Sequence, residues 1–226
     1  MESKRITIFA GHYGSGKTNI AVNYALHIRE EYDKVSIADL DIVNPYFRTK
    51  DSEKILDEKG IRLISSEYAN SNVDVPALPA EAYSIIDDLS VMAVIDVGGD
   101  DRGALALGRY TPSIIEQNNY EYLLVINKYR PLTPDCASTI GVMREIEIAC
   151  GMKFTGIVNN SNLGDETTAE DVISSIGYAE EISKASSLPI RMTTVKEDLY
   201  DTLKEKVANC TPIKLYVKQS WSRATD

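Results

Sequence analysis

Seven short apolar runs, at residues 5–10, 34–38, 61–65, 92–97, 122–127, 154–158 and 190–194, recur along the chain with segments of helical period between them. Several runs are continuous rather than alternating, as in Met92-Ala93-Val94-Ile95 and Leu123-Leu124-Val125-Ile126. A strand with no polar side is buried on both faces, the condition of a parallel sheet covered by helices. The first intervening segment, 17–31, puts Ile20, Ala21, Tyr24, Ala25 and Ile28 on one stripe. Further helices are expected at 51–59, which stops at Gly60, at 133–150, which opens Thr-Pro-Asp and stops at Gly151, and at 169–186 and 197–208. The alternation predicts an α/β fold: a doubly wound, mostly parallel sheet of seven or eight strands with helices on both faces. No Pro-, Gly- or Ser-rich linker and no internal repeat divides the 226 residues, so the expectation is one domain over 1–226. The longest polar loop is at 70–79, and 213–226 reads as an edge strand with a tail.

Net charge is −10, from 24 basic and 34 acidic residues. That balance disfavours sequence-independent nucleic-acid binding and docking on anionic membranes, which both need exposed Lys and Arg. No apolar run has the length of a membrane helix, and residues 1–10 have no signal-peptide pattern. Cys136, Cys150 and Cys210 are too widely spaced for a metal pair, and an odd count forms no disulfide framework. With only His12 and His27 beside them, a structural zinc site is not expected. The expected compartment is the reduced cytoplasm.

The most specific motif is Gly11-His12-Tyr13-Gly14-Ser15-Gly16-Lys17-Thr18, a G-x-x-x-x-G-K-[ST] loop. It lies between the first strand and the first helix, where the mechanism needs it. Glycines let the backbone curl so that its N–H groups point inward at phosphate oxygens. The helix N-terminus adds partial positive charge. Lys17 is placed to reach the β- and γ-phosphates, and the Thr18 hydroxyl to ligate Mg²⁺.

Strand two ends Ala38-Asp39-Leu40-Asp41 and strand four ends Ile95-Asp96-Val97-Gly98-Gly99. Ligands of doubly wound sheets bind outside the carboxyl ends of the strands, so these acids fall beside the phosphate loop. Hydrated Mg²⁺ needs one or two carboxylates and an attacking water needs an acceptor. Gly98 or Gly99 is placed to offer an N–H to a γ-phosphate.

These segments, with Thr18-Asn19-Ile20-Ala21-Val22-Asn23-Tyr24-Ala25-Leu26, resemble the MinD/ParA group of P-loop ATPases, part of the SIMIBI class that includes the nitrogenase iron protein. The resemblance runs through roughly residues 4–195 and is sharp only in the motifs. It implies ATP and Mg²⁺, often bound in a dimer with nucleotide at the interface, and a cofactor contact from Asn19. By it, Asp41 positions the hydrolytic water, while Asp39 and Asp96 hold Mg²⁺ through its water shell. Gly156-Ile157-Val158-Asn159-Asn160 resembles the family's strand that ends in an adenine-contacting Asn, here Asn160. The chain departs from the family at the signature lysine that reaches the partner's phosphates. His12 stands there, and an imidazole does not replace an ammonium at a phosphate. Arg48, in Asn44-Pro45-Tyr46-Phe47-Arg48, and Arg102 are the two candidates for the missing charge.

Asn127-Lys128-Tyr129-Arg130 has the outline of the N-K-x-D guanine reader, but Arg130 has no acceptor for the guanine edge, which favours ATP. The leading reading is a weak, Mg-dependent ATPase that switches conformation on a protein partner. Three others stay open: an ATP-dependent small-molecule ligase of the dethiobiotin synthetase type, a GTP-dependent metallocentre maturation factor, and a nucleotide-binding module without turnover. The maturation factors normally carry a Cys or His metal motif, and none is legible here. The tyrosines Tyr24, Tyr83 and Tyr122 read as core residues.

Overall fold

A computed structural model describes residues 3–40, 52–65, 81–99 and 101–216, with backbone alone at 65, 81, 82, 101 and 102. The strands are β1 (Ile6–Ala10), β2 (Val35–Asp39), β3 (Arg62–Ser65), β4 (Met92–Asp96), β5 (Tyr120–Ile126), β6 (Gly156–Asn159), β7 (Ile190–Lys196) and β8 (Cys210–Ile213). They form one eight-stranded sheet in the order β3-β2-β4-β1-β5-β6-β7-β8. Every neighbouring pair is parallel. The expected doubly wound α/β architecture is the one found.

The continuous apolar runs are explained by how each strand divides its side chains. In β1, Ile6, Ile8 and Ala10 enter one core and Phe9 the other. In β4, Ala93 and Ile95 separate in the same way from Met92 and Val94. In β5, Tyr122, Leu124 and Ile126 oppose Leu123 and Val125. Successive residues point to opposite faces, so apolar residues at both parities fill two cores at once.

Helices α1 (Lys17–Ile28) and α2 (Glu53–Glu58) cover one face through Ile20, Ala21, Ala25, Ile28 and Leu56. The other face is covered by α3 (Glu81–Asp87), α4 (Asp101–Gly108), α5 (Thr111–Gln117), α6 (Cys136–Cys150) and, past the short α7 (Ala169–Ser174), α8 (Ile176–Ser186). A small third cluster joins Val172 of α7, Val195 of β7 and Leu203 of α9 (Tyr200–Leu203).

Several expectations need correction. The helix expected at 169–186 is two helices, because buried Ser175 turns its hydroxyl back to the Val172 carbonyl and accepts from Asn159 Nδ2. The helix expected at 197–208 shrinks to one 3-10 turn and the four residues of α9. Helices α3, α4 and α5 are additional to the expected ones, and β8 starts at Cys210, before the expected edge strand. The sixth helix begins at Cys136, with Asp135 as N-cap accepting from the Ser138 amide at 2.9 Å. Tyr122 is buried and Tyr24 half-buried as read, but Tyr83 is 46% exposed, its ring tilted against that of Tyr110 at 4.6 Å between centroids. The loop at 70–79 and the tail from 217 lie outside the described residues.

The winding positions the site. From β1 the chain runs to β2 and β3 on one flank, returns as β4 beside β1, and then crosses to β5 on the other flank. The carboxyl end of β1 is therefore where the strand order changes direction and a crevice opens.

Candidate functional site

The loop Gly11–Thr18 leaves β1 at that crevice and enters α1. Gly14 and Gly16 take φ of +76° and +90°, the left-handed region that side chains avoid. Gly16 is the N-cap and has no side chain to cap the helix, and the first turn holds no acidic residue. An uncapped, twelve-residue helix with a glycine loop at its head directs N–H groups and partial positive charge at one spot. Lys17 is 6% exposed and folds back over the loop, its Nζ donating to the His12 carbonyl at 3.3 Å. Thr18 follows in the first helical turn, half-buried.

Asp39 and Asp96 end β2 and β4 and are register partners in these adjacent parallel strands. Both are buried, on the face where Ile37 and Val94 meet α1. A divalent cation with its water shell fits such a donor set: two carboxylates side by side and the Thr18 hydroxyl, all hard oxygens. Among the described residues, no group of three His, Cys, Asp or Glu side chains gathers as a closed metal cage.

Gly99 presses on the loop from the β4 side. A Cβ on it would stand 2.6 Å from the Tyr13 nitrogen, so only glycine allows this approach. From the other side Asn160, which is 3% exposed, donates Nδ2–H to the Ser15 carbonyl at 2.6 Å and accepts from the Thr194 hydroxyl at 2.6 Å. The structure thus places Asn160 as a brace under the loop. Asn19 faces elsewhere: its side-chain oxygen holds the Tyr216 amide at 2.9 Å, tying α1 to the segment after β8. Asp41 and Arg48 lie outside the described residues, and Arg102 is described by its backbone alone.

One residue enters the site that the sequence had marked only by what it lacks. After β5 the chain turns through Asn127, whose Oδ1 accepts from the Tyr129 and Asn162 amides. Lys128 Nζ donates to the Ser174 carbonyl and the Tyr129 hydroxyl to that of Asp171, so both lean on α7. Arg130 turns the other way, onto the loop. Its guanidinium carbon lies 3.1 Å from where a Gly14 Cβ would stand. Burial lowers its pKa from the usual guanidinium range, opposed by the nearby Tyr13. The sequence signal was available: an arginine, in place of an acceptor, in an N-K-x-D-like turn.

The fold is similar to that of several solved structures. FtsY from Mycoplasma mycoides superposes with a TM-score of 0.53 at 23% identity, over 86% of this chain and 62% of that one. Chloroplast FtsY from Physcomitrella patens gives 0.56 at 18%, over 85% and 58%. The Signal Recognition Particle 54 kDa protein from Aeropyrum pernix, in complex with GDP, gives 0.54 at 16%, over 85% and 41%. This is the α/β P-loop NTPase fold. The chain spans less than two thirds of the length of these structures, and at such identities the likeness is one of fold. No family model matches the chain, and no curated protein matches it. No helix among the described residues is long and apolar enough to cross a membrane.

Proposed function

We propose that the protein is a single-domain P-loop nucleoside triphosphatase, resembling the MinD/ParA group, in which Mg-dependent ATP hydrolysis sets the conformation seen by a protein partner. The observation that carries this reading is Lys17 bent over an uncapped glycine loop, with Asp39 and Asp96 paired beside it. The loop amides and Lys17 bind the phosphate chain. Thr18, Asp39 and Asp96 hold magnesium through the hydroxyl and the ion's water shell, and the bound ion supplies charge neutralisation for phosphoryl transfer. Asp41 orients the attacking water in this reading, a role taken from the family resemblance. Gly99, in backbone contact with the loop, is placed to report the γ-phosphate to α4. Nucleotide-linked dimerisation is part of the proposal, with a second copy as one candidate partner, in the reducing cytoplasm that three free thiols suit.

Adenine is preferred because Arg130 presents donors only, whereas a guanine edge needs an acceptor. A second reading, guanine nucleotide, is favoured by the GDP complex of the Aeropyrum pernix protein with the same fold. Phosphate release from Mg·ATP and Mg·GTP, with no added metabolite, tests both. Basal ATP turnover supports the switch. Turnover only with a metabolite present supports the ligase, and turnover of GTP alone overturns the choice of base.

A further inference from the structure

Arg5 and Arg130 are both drawn into the fold, and they differ in how their charge is met. Arg5 spends its guanidinium on the carbonyls of Ile85, Ile86, Asp88 and Val91 and on the Gln117 side chain, a structural clamp. The Arg130 side chain makes no hydrogen bond, forms no ion pair among the described residues, and has its Nε buried. A buried donor without an acceptor is costly to keep. The cost is repaid when an anion arrives, and the place where this guanidinium lies, on Gly14, is the wall of an anion cradle. Its neighbours in the turn are committed elsewhere, since Lys128 and Tyr129 both bond to α7 and its approaches. The cation is also pre-positioned: the Arg130 amide bonds the Asn127 carbonyl at 3.2 Å, and the Thr133 amide bonds the Arg130 carbonyl at 3.1 Å.

We infer that Arg130 is a nucleotide-binding residue whose guanidinium engages the phosphate chain of the nucleotide held by residues 11–18, an assignment that rests on reading that loop as a triphosphate site. It supplies a second fixed positive charge beside Lys17, from the opposite flank of β1 to Asp39 and Asp96. The assignment is independent of the base. It gives the N-K-x-R turn a positive role, reading charge where an N-K-x-D turn reads a base.

The test is calorimetric titration of Mg·ATP and Mg·GTP into wild type, Arg130→Ala, Arg130→Met, Arg130→Lys and Lys17→Ala, following whichever nucleotide binds more tightly. Met keeps side-chain bulk over Gly14 in place of the guanidinium and removes the charge, which separates binding from support of the loop. Because the Arg130 side chain holds no hydrogen-bond or ion-pair partner among the described residues, thermal unfolding of the nucleotide-free variants is expected to match wild type. Arg130→Ala and Arg130→Met are each expected to weaken binding about tenfold or more, and Arg130→Lys to recover part of the loss. Arg130→Met binding within twofold of wild type, while Lys17→Ala abolishes uptake, overturns the role of Arg130 and leaves the loop reading intact. Absence of uptake by wild type overturns both.

Discussion

Asn160 donates an amide proton to the carbonyl of Ser15 at 2.6 Å, joining the end of β6 to the phosphate loop across 145 positions of sequence. The contact is enforced from both directions. A Cβ at Gly16 would stand 2.2 Å from the same nitrogen, so the glycine exists where the brace needs room. The Asn160 oxygen is held in turn by Thr194 of β7. The loop is therefore held from β6 and β7 on one flank of β1, while Gly99, after β4, presses on it from the other.

Asn160→Ala strips a partner from the Ser15 carbonyl and from the Thr194 hydroxyl, both buried. The expected loss of stability is about 1–3 kcal/mol, read by denaturant unfolding, accompanied by weaker nucleotide uptake. Unchanged stability and affinity would show that the loop holds its shape without this brace.

Two glycines make a matched pair of opposite sign. Gly99→Ala forces a methyl against the Tyr13 backbone and must displace the loop, so nucleotide binding is expected to fall with it. Gly141 lies inside α6 with nothing within 4 Å of its Cβ position. Gly141→Ala is expected to stabilise by about 0.5–1 kcal/mol, from the entropy the unfolded chain no longer loses. Chemical denaturation of both, with calorimetry on the first, checks the contrast.

Most of the architecture was legible because its cause is local to each strand. Met92-Ala93-Val94-Ile95 announces two covered faces by itself, and the Gly-x-x-x-x-Gly-Lys-Thr string fixes the turn between β1 and α1. What escaped depends on distant contacts. Ser175 ends α7 through Asn159, which no window around residue 175 contains. Helices α4 and α5, at Asp101–Gly108 and Thr111–Gln117, are seven or eight residues long, too short to display a full amphipathic stripe. Asn160 and Arg130 both stand out in the sequence, but the partners that define them, Ser15 and Gly14, belong to the loop more than a hundred positions away.

In the proposed reading Asp39 and Asp96 help to hold magnesium. Asp39→Asn and Asp96→Asn each keep the size of the side chain and remove a charge that would favour a divalent cation. Nucleotide uptake in the absence of Mg²⁺ is expected to survive, its enhancement by Mg²⁺ to disappear, and turnover to fall on the order of a hundredfold. Titrations with and without Mg²⁺, and phosphate release, measure the three. Equal Mg²⁺ enhancement in both variants and wild type would remove these acids from the metal's surroundings.

Acid sensitivity has a source in two helix caps. Bonds from the Ser138 amide hold the Asp135 carboxyl below the usual carboxylate range, and the Thr168 side chain and amide do the same for Asp171. A folded pKa below the unfolded one gives stability that is present above about pH 4 and is lost as pH falls through the folded values. Asp135→Asn with Asp171→Asn keeps cap acceptors without the titration. Between pH 5 and pH 2, about the range in which such carboxyls take up protons, the double variant's unfolding midpoint is expected to drop less steeply than that of wild type.

The measurement closest to the central claim is calorimetric titration of Mg·ATP into wild type and Lys17→Ala. The account predicts saturable uptake with one nucleotide per chain in wild type and loss of it in the variant, because the ammonium that closes on the His12 carbonyl is the counter-charge for the phosphates. Heat indistinguishable between the two proteins, or none from wild type with either Mg·ATP or Mg·GTP, would contradict it.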